Sequence, residues 1–162
     1  MSDDIREATE TATGMAGGLP AALVSLREWA DGSSVDVLAE AMRVSHSRAV
    51  RVVDRLERAR LARRESDPSD GRRALVRLEP AGHELAGRAL GARSQVLART
   101  VAGLDDADVR ELERLLGALL RATTVDLRAA KTTCRLCDAH ACGHYEGACP
   151  VSQAADWWRA LA

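Results

Sequence analysis

The stretch VDVLAEAMRVSHSRAVRVVDRLERARLARRESDPSDGRRALVRLEP, residues 35–80, constrains the fold more than any other part of the chain, because its hydrophobic period changes along its length. Val35, Leu38, Ala39 and Met42 recur at helical spacing and predict a short helix that ends at Val44 and Ser45. Ser45 is a good N-cap for a second helix, His46 to Ala59, with Ala49, Val52, Val53 and Leu56 on its inner face. Arg48, Arg51, Arg55 and Arg58 then fall on the opposite face. After this helix the period drops to two. Leu61 to Glu65 and Ala74 to Leu78 read as strands joined by a turn rich in Asp, Pro, Ser and Gly. Two short helices with a tight turn, the second carrying a basic outer stripe, make a helix-turn-helix, and the basic hairpin behind it is a wing.

The flanking segments read as helices. Residues 2–13 fit a short polar helix closed by a glycine cluster, and AALVSLREWA after Pro20 places Leu23, Leu26, Trp29 and Ala30 on one side before a DGSS turn. Pro80 suits the first turn of a long helix reaching to about Arg99. Asp105 caps a last long helix whose Val109, Leu112, Leu116, Leu119, Thr123 and Leu127 form a narrow stripe for packing on another helix. Ser152 is placed to cap a final short helix with Ala155, Trp158 and Leu161 on its apolar edge. The expected fold class is therefore mainly α with a small β-hairpin wing. Its division is 1–18 as an N-terminal arm, 19–80 as the winged lobe, 81–131 as dimerisation helices and 132–162 as a cysteine tail.

Charge is distributed unevenly. Residues 43–77 hold eleven Arg against five acidic residues, a net of +6, whereas the whole chain is −1 and the remainder is therefore −7. A basic third on a near-neutral chain is the electrostatic footprint expected for a phosphate backbone. No stretch approaches the roughly 20 apolar residues of a membrane span. The expectation is a cytoplasmic protein with no membrane partner.

The helix spacing and the wing together resemble the MarR (multiple-antibiotic-resistance regulator) family of winged helix-turn-helix repressors. The likeness is most specific at Asp70 and Arg72, a D-x-R pair standing before the V-x-L strand of Val76 and Leu78. It implies a homodimer whose recognition helices enter successive major grooves of a pseudo-palindromic double-stranded operator. Carried over by position, Ser47, Arg48 and Arg51 lie nearest the base edges and Arg55 nearer the phosphates. Arg72, oriented by Asp70, enters the minor groove. Arg63, Arg64 and Arg73 are read as phosphate contacts, and His46 as the occupant of the helix start.

All four cysteines, Cys134, Cys137, Cys142 and Cys149, stand within sixteen residues, in a tail that typical members of this family lack. Four thiolates on short loops can hold one soft-metal centre, and the Cys-x2-Cys turn is suited to gripping it. An iron–sulfur cluster, [2Fe–2S] or [4Fe–4S], tolerates the uneven spacing, and Pro150 after the last cysteine resembles ferredoxin-type runs. Structural Zn2+ is the alternative, and disulfide or thiol oxidation a third. His140 and His144 are expected to be bystanders. No nucleotide-binding glycine loop, Ser/His/Asp constellation or evident carboxylate pair suggests an enzyme. The expected function is a DNA-binding transcriptional regulator, a repressor before an activator, responsive to the state of the cysteine centre. The other classes are a cluster-bearing electron carrier and a dimeric scaffold that no longer binds DNA.

Overall fold

Ser45 accepts the backbone N–H of Arg48 and so starts the helix from His46 to Arg58, the fourth in a largely helical fold. The computed structural model describes residues 1–71 and 73–161, with side chains described up to Ala155 in the last helix. In chain order, α1 (Ser2–Thr13) and α2 (Leu19–Ser25) are followed by a π-helical turn (Leu26–Ala30), β1 (Ser33–Ser34), α3 (Val35–Met42) and α4 (His46–Arg58). β2 (Ala62–Ser66), β3 (Ala74–Leu78), α5 (Pro80–Val101), α6 (Asp106–Thr123), α7 (Leu127–Cys134) and α8 (Pro150–Leu161) complete it.

Leu23, Leu26, Leu38, Val53, Leu56 and Val76 are the largest fully buried apolar side chains. They come from α2, the π turn, α3, α4 and β3, so one core fixes the recognition helix and the wing together. Burying each contributes about 1.5–3 kcal/mol relative to exposure. The sheet is antiparallel in the order β1, β3, β2, with Arg64 opposite Val76 in the hairpin. The DGSS segment, expected to be only a turn, contributes β1, in which Ser33 pairs with Val76 and Ser34 with Leu75. A two-residue strand has no period of its own to read. Its partner strand supplies the order.

Gly82 closes the lobe against the long helix. A β-carbon there would collide with the Leu61 carbonyl oxygen, the same oxygen that accepts the Glu79 N–H at 2.9 Å. Only a residue without a side chain lets the first turn of α5 lie this close to the start of the wing.

Two expectations need correction at the C-terminal side. The last long helix does not extend to Leu127: α6 ends at Thr123, and Asp126 caps a separate helix α7 by accepting the Ala129 N–H at 2.6 Å. α7 therefore runs across the expected 131/132 boundary. Ser152 does not cap the final helix, because α8 begins at Pro150 and the Ser152 hydroxyl is 2.7 Å from His144 Nδ1. Asp105, by contrast, caps α6 as expected, accepting from Ala107 and Asp108. The apolar edge read at Trp158 and Leu161, and Trp157 beside it, lie outside the described side chains.

Along α6, which packs against α8, much of the narrow apolar stripe is exposed. Leu115, Leu116 and Leu119 are 46%, 49% and 61% exposed, and Val101, Leu104, Val125 and Leu127 are exposed beside them. None of the described helices is long and apolar enough to cross a membrane.

Candidate nucleic-acid interface and cysteine site

α4 presents Ser47, Arg48, Arg51, Arg55 and Arg58 to solvent while Ala49, Val52, Val53 and Leu56 are buried. The alternation follows directly from the 3.6-residue repeat, which puts apolar and basic residues on opposite sides of one helix. Arg48, Arg51 and Arg55 make no side-chain ion pair or hydrogen bond among the described residues, whereas Arg58 donates to the Asp54 carbonyl at 3.1 Å. Ser47 Oγ is 3.2 Å from Ser45 Oγ. His46 sits at the helix start with Nδ1 2.6 Å from Asp36 Oδ1, which ties α4 to α3 and matches its reading as the occupant of that position.

The wing arginines carry ion pairs within the lobe. Arg64 pairs with Asp54 at 2.8 Å and with Glu57, both on α4. Arg63 pairs with Glu65 and Glu79, and Arg77 with Glu65 at 2.8 Å. Arg63 and Arg64, read with the resemblance as phosphate contacts, have guanidiniums that also tie the hairpin to the recognition helix and to Glu79 before α5. The Arg63 and Arg77 guanidiniums hold the Glu65 carboxyl below the usual glutamate range.

At the hairpin tip Asp67 accepts from the Ser69 hydroxyl at 2.6 Å and the Ser69 N–H at 2.8 Å, which lowers its pKa. The chain then reverses so that the Asp67 N–H meets the Arg73 carbonyl at 3.0 Å. Arg73 is exposed, with Nε 3.4 Å from Asp70 Oδ2. Arg72, expected to enter the minor groove, lies outside the described residues.

The tail gathers its four cysteines at the end of α7, in the loops that follow and at the start of α8. α7 delivers Cys134, and a tight turn brings the Cys137 N–H to the Cys134 carbonyl at 2.8 Å. Asp138 accepts the N–H groups of His140 and Ala141 and shapes the next turn. Gly143, at φ +69°, lets the chain fold over Ala148, which a β-carbon there would meet at 2.9 Å. Cys149 then arrives just before Pro150. Cys134 and Cys149 are buried, Cys137 and Cys142 half-buried, and all four are free thiols.

Cys134 and Cys149 share one buried cluster, with Cys142 packed against it. A hydrogen bond shared with Cys137, reinforced by burial, pushes the Cys134 thiol up. The same bond lowers Cys137 to about 7, assisted by the Arg93 and Arg135 guanidiniums. Burial, with charge on Cys149 and Cys137, raises Cys142 to about 11, and a hydrogen bond links Cys142 to Cys149. Among the described residues no group of three or more His, Cys, Asp or Glu side chains is arranged to hold a metal ion.

Sequence reasoning missed where this tail sits. The Ala139 N–H donates to Glu28 Oε2 at 3.0 Å, and Lys131 Nζ is 3.2 Å from Glu40 Oε2 on α3. Trp29 packs against the Cys134, Cys149 and Val151 group and meets His144 edge-on, with ring centroids 4.9 Å apart. Leu136 packs on Val24, Ala89 and Leu90. A cavity of about 430 Å³ lies between Trp29, Val37 and Ala41 on the lobe and Cys134, His144 and Val151 on the tail. The tail is thus docked on the π turn and α3, the helix preceding the recognition helix. The only sequence signal for this is Trp29, a large aromatic in a chain with three Trp, one Tyr and no Phe.

Comparison with known proteins gives one consistent result. No curated protein matches the chain. Among solved structures, CouR from Rhodococcus jostii RHA1, bound to p-coumaroyl-CoA, is 27% identical over 73% of this chain and 85% of its own, with a TM-score of 0.57. A probable transcriptional regulator from Pseudomonas aeruginosa is 28% identical over 73% and 90%, TM-score 0.57. A MarR family protein from Bacillus stearothermophilus is 23% identical over 76% and 87%, TM-score 0.65. Residues 28–73 match the MarR family, and the architecture around them is a winged-helix fold like that of the Bacillus stearothermophilus MarR family protein.

Proposed function

We infer that the protein is a dimeric DNA-binding transcriptional regulator, of repressor type, whose operator affinity is set by an iron–sulfur cluster on its four cysteines. The row of unpaired, exposed Arg48, Arg51 and Arg55 on a capped helix beside a wing carries the DNA-binding part of this reading. Guanidinium can fork onto guanine in the major groove, so Arg48 and Arg51, with Ser47, serve base readout and Arg55 the phosphates. Arg72, oriented by Asp70, extends the contact to the flanking minor groove, and Arg73 to the phosphates. The exposed Leu115, Leu116 and Leu119 face supports a homodimer. Such a dimer reads a pseudo-palindrome when its recognition helices lie about 34 Å apart.

The donor chemistry supports a cluster on the tail. Four soft thiol donors lie on one short tail, with Cys134 and Cys149 in a single buried cluster and Cys142 packed against it, a donor set suited to iron–sulfur ligation. Cys134, Cys137, Cys142 and Cys149 would hold the group, and Arg93 and Arg135 beside Cys137 would offset the negative charge of thiolates and sulfide. Such a group supplies a reversible one-electron change and a common anchor for the loops. The tail reaches α4 through α3, by the Lys131–Glu40 pair and the docking on Trp29, so loosening its loops shifts the seat of the recognition helix directly.

The test is iron and acid-labile sulfide analysis of protein purified without oxygen, with operator binding measured before and after oxidation. Iron with sulfide, and a change in affinity on oxidation, supports the reading. Zinc without sulfide makes the tail a structural staple, and no operator binding in any state overturns the regulator.

A further inference from the structure

Among the described residues only two buried side-chain polar atoms lack a hydrogen-bond partner, Ser25 Oγ and Trp29 Nε1. A buried indole N–H without an acceptor is destabilising by about 1–3 kcal/mol, and such orphans are uncommon in folded chains. Trp29 is also the lobe residue whose ring packs on the Cys134, Cys149 and Val151 group, with Cys142 alongside. His144, the aromatic neighbour that could have accepted, meets Trp29 ring edge to face and has its Nδ1 committed to Ser152 at 2.7 Å. Neutral thiols are weak acceptors. Thiolate and sulfide sulfurs are negatively charged and accept N–H donors readily, and such bonds tune metal centres.

Building on the iron–sulfur reading above, we propose that the Trp29 indole N–H is the hydrogen-bond donor that the winged lobe supplies to a sulfur of the cysteine-held centre. Two independent observations meet here, an unsatisfied buried donor and its packing against the cysteines. Trp29 is then a positioning residue. It stands on the π turn one residue after Glu28, which holds the Ala139 N–H, so the same turn grips the tail backbone and its sulfur centre. Stabilising negative charge on sulfur favours the reduced state, so losing the bond moves the reduction potential to more negative values.

The experiment uses the full chain, wild type and Trp29→Phe, reconstituted without oxygen using ferrous iron and sulfide. Iron and sulfide content, reduction potential, and the shift of Fe–S stretching bands between H2O and D2O are compared. The expected result is equal loading, a more negative potential in Trp29→Phe, and a smaller D2O shift because one exchangeable N–H no longer contacts sulfur. A loaded Trp29→Phe with unchanged potential and unchanged D2O shift overturns the inference and leaves the cluster reading intact. No iron in the wild type overturns both. Should Trp29→Phe fail to fold, benzothienylalanine at position 29, which keeps the bicyclic shape and replaces N–H by sulfur, gives the same comparison. A packing role alone would leave its D2O shift at the wild-type value.

Discussion

Glu28 Oε2 accepts the backbone N–H of Ala139 at 3.0 Å across 111 residues of chain, and by this bond the cysteine tail is fastened to the DNA-binding lobe. The Glu28 side chain is 7% exposed and Ala139 is fully buried. Replacing Glu28 by Ala strands a buried N–H, a loss of about 1–3 kcal/mol. Protease cleavage between residues 135 and 148 should accelerate in Glu28→Ala. Glu28→Gln, which keeps a carbonyl acceptor, should recover most of the protection.

On the recognition helix the exposed arginines should separate by role. Arg48→Ala is expected to weaken operator binding by about 1–3 kcal/mol and relax base preference at one position of each half-site. Arg55→Ala should weaken binding to all sequences alike and reduce the slope of log K against log salt by about 0.9 for each phosphate that is no longer neutralised. Fluorescence anisotropy across a salt series measures both. Identical behaviour of the two variants would remove the distinction between base and phosphate contacts.

Acidification should loosen the wing through Glu65. Its pKa is lowered from 4.5, first by the hydrogen bond from Arg63 and then by that from Arg77. A depressed carboxyl pKa contributes stability above the unfolded value, and that contribution is lost as pH falls through the lower folded value. The hairpin should therefore be intact above about pH 4.5 and open progressively below it. An NMR titration should place the Glu65 midpoint below that of an unpaired glutamate, and Glu65→Gln should abolish this part of the pH response.

The exposed leucine face predicts an oligomer that one charge can dissolve. Leu119 is 61% exposed and Leu116 49%, so Leu119→Glu removes little from the protomer core but places a charge in the inferred dimer seam. Sedimentation should show a dimer in the wild type and a folded monomer in the variant. Operator binding should fall by at least about tenfold, equal to 1.4 kcal/mol, as one half-site is lost.

Gly82→Ala tests the close approach of α5 to the wing. The added methyl would collide with the Leu61 carbonyl oxygen, which is backbone and has nowhere to retreat. Overpacking of this kind destabilises by about 1–3 kcal/mol, read as a lower urea midpoint. Gly91→Ala, with nothing within 4 Å, should be neutral or stabilising.

The sequence made the lobe legible where local rules act alone. Ser45 as a cap, the apolar face of Val52, Val53 and Leu56, and the alternating ALVRL strand each depend on neighbours within a few residues, and each stands where expected. What escaped depends on distant partners. Ser33 and Ser34 become a strand because Val76 and Leu75 are there to pair with them. Arg63 and Arg64 contribute to a basic total, yet only the fold shows which acids they meet. Leu127 continues a helical spacing on paper, but Asp126 begins a new helix and turns the chain back towards α3. The return of Cys149 to Cys134 likewise depends on the fold of the loop between them, including the Gly143 turn, and not on spacing alone.

The π-helical turn at Leu26–Ala30 sets the phase between lobe and tail. Each residue of an α-helix advances the chain by about 100°, and a π turn accommodates one residue more than the regular ladder. Deleting a single residue here would restore a regular helix and rotate Glu28 and Trp29 by that angle relative to α2. Leu26 and Ala30 of the turn sit in the lobe core while Glu28 and Trp29 between them face the tail. A one-residue change in length at this turn thus disturbs the lobe core and the grip on the tail together, because the same five residues serve both.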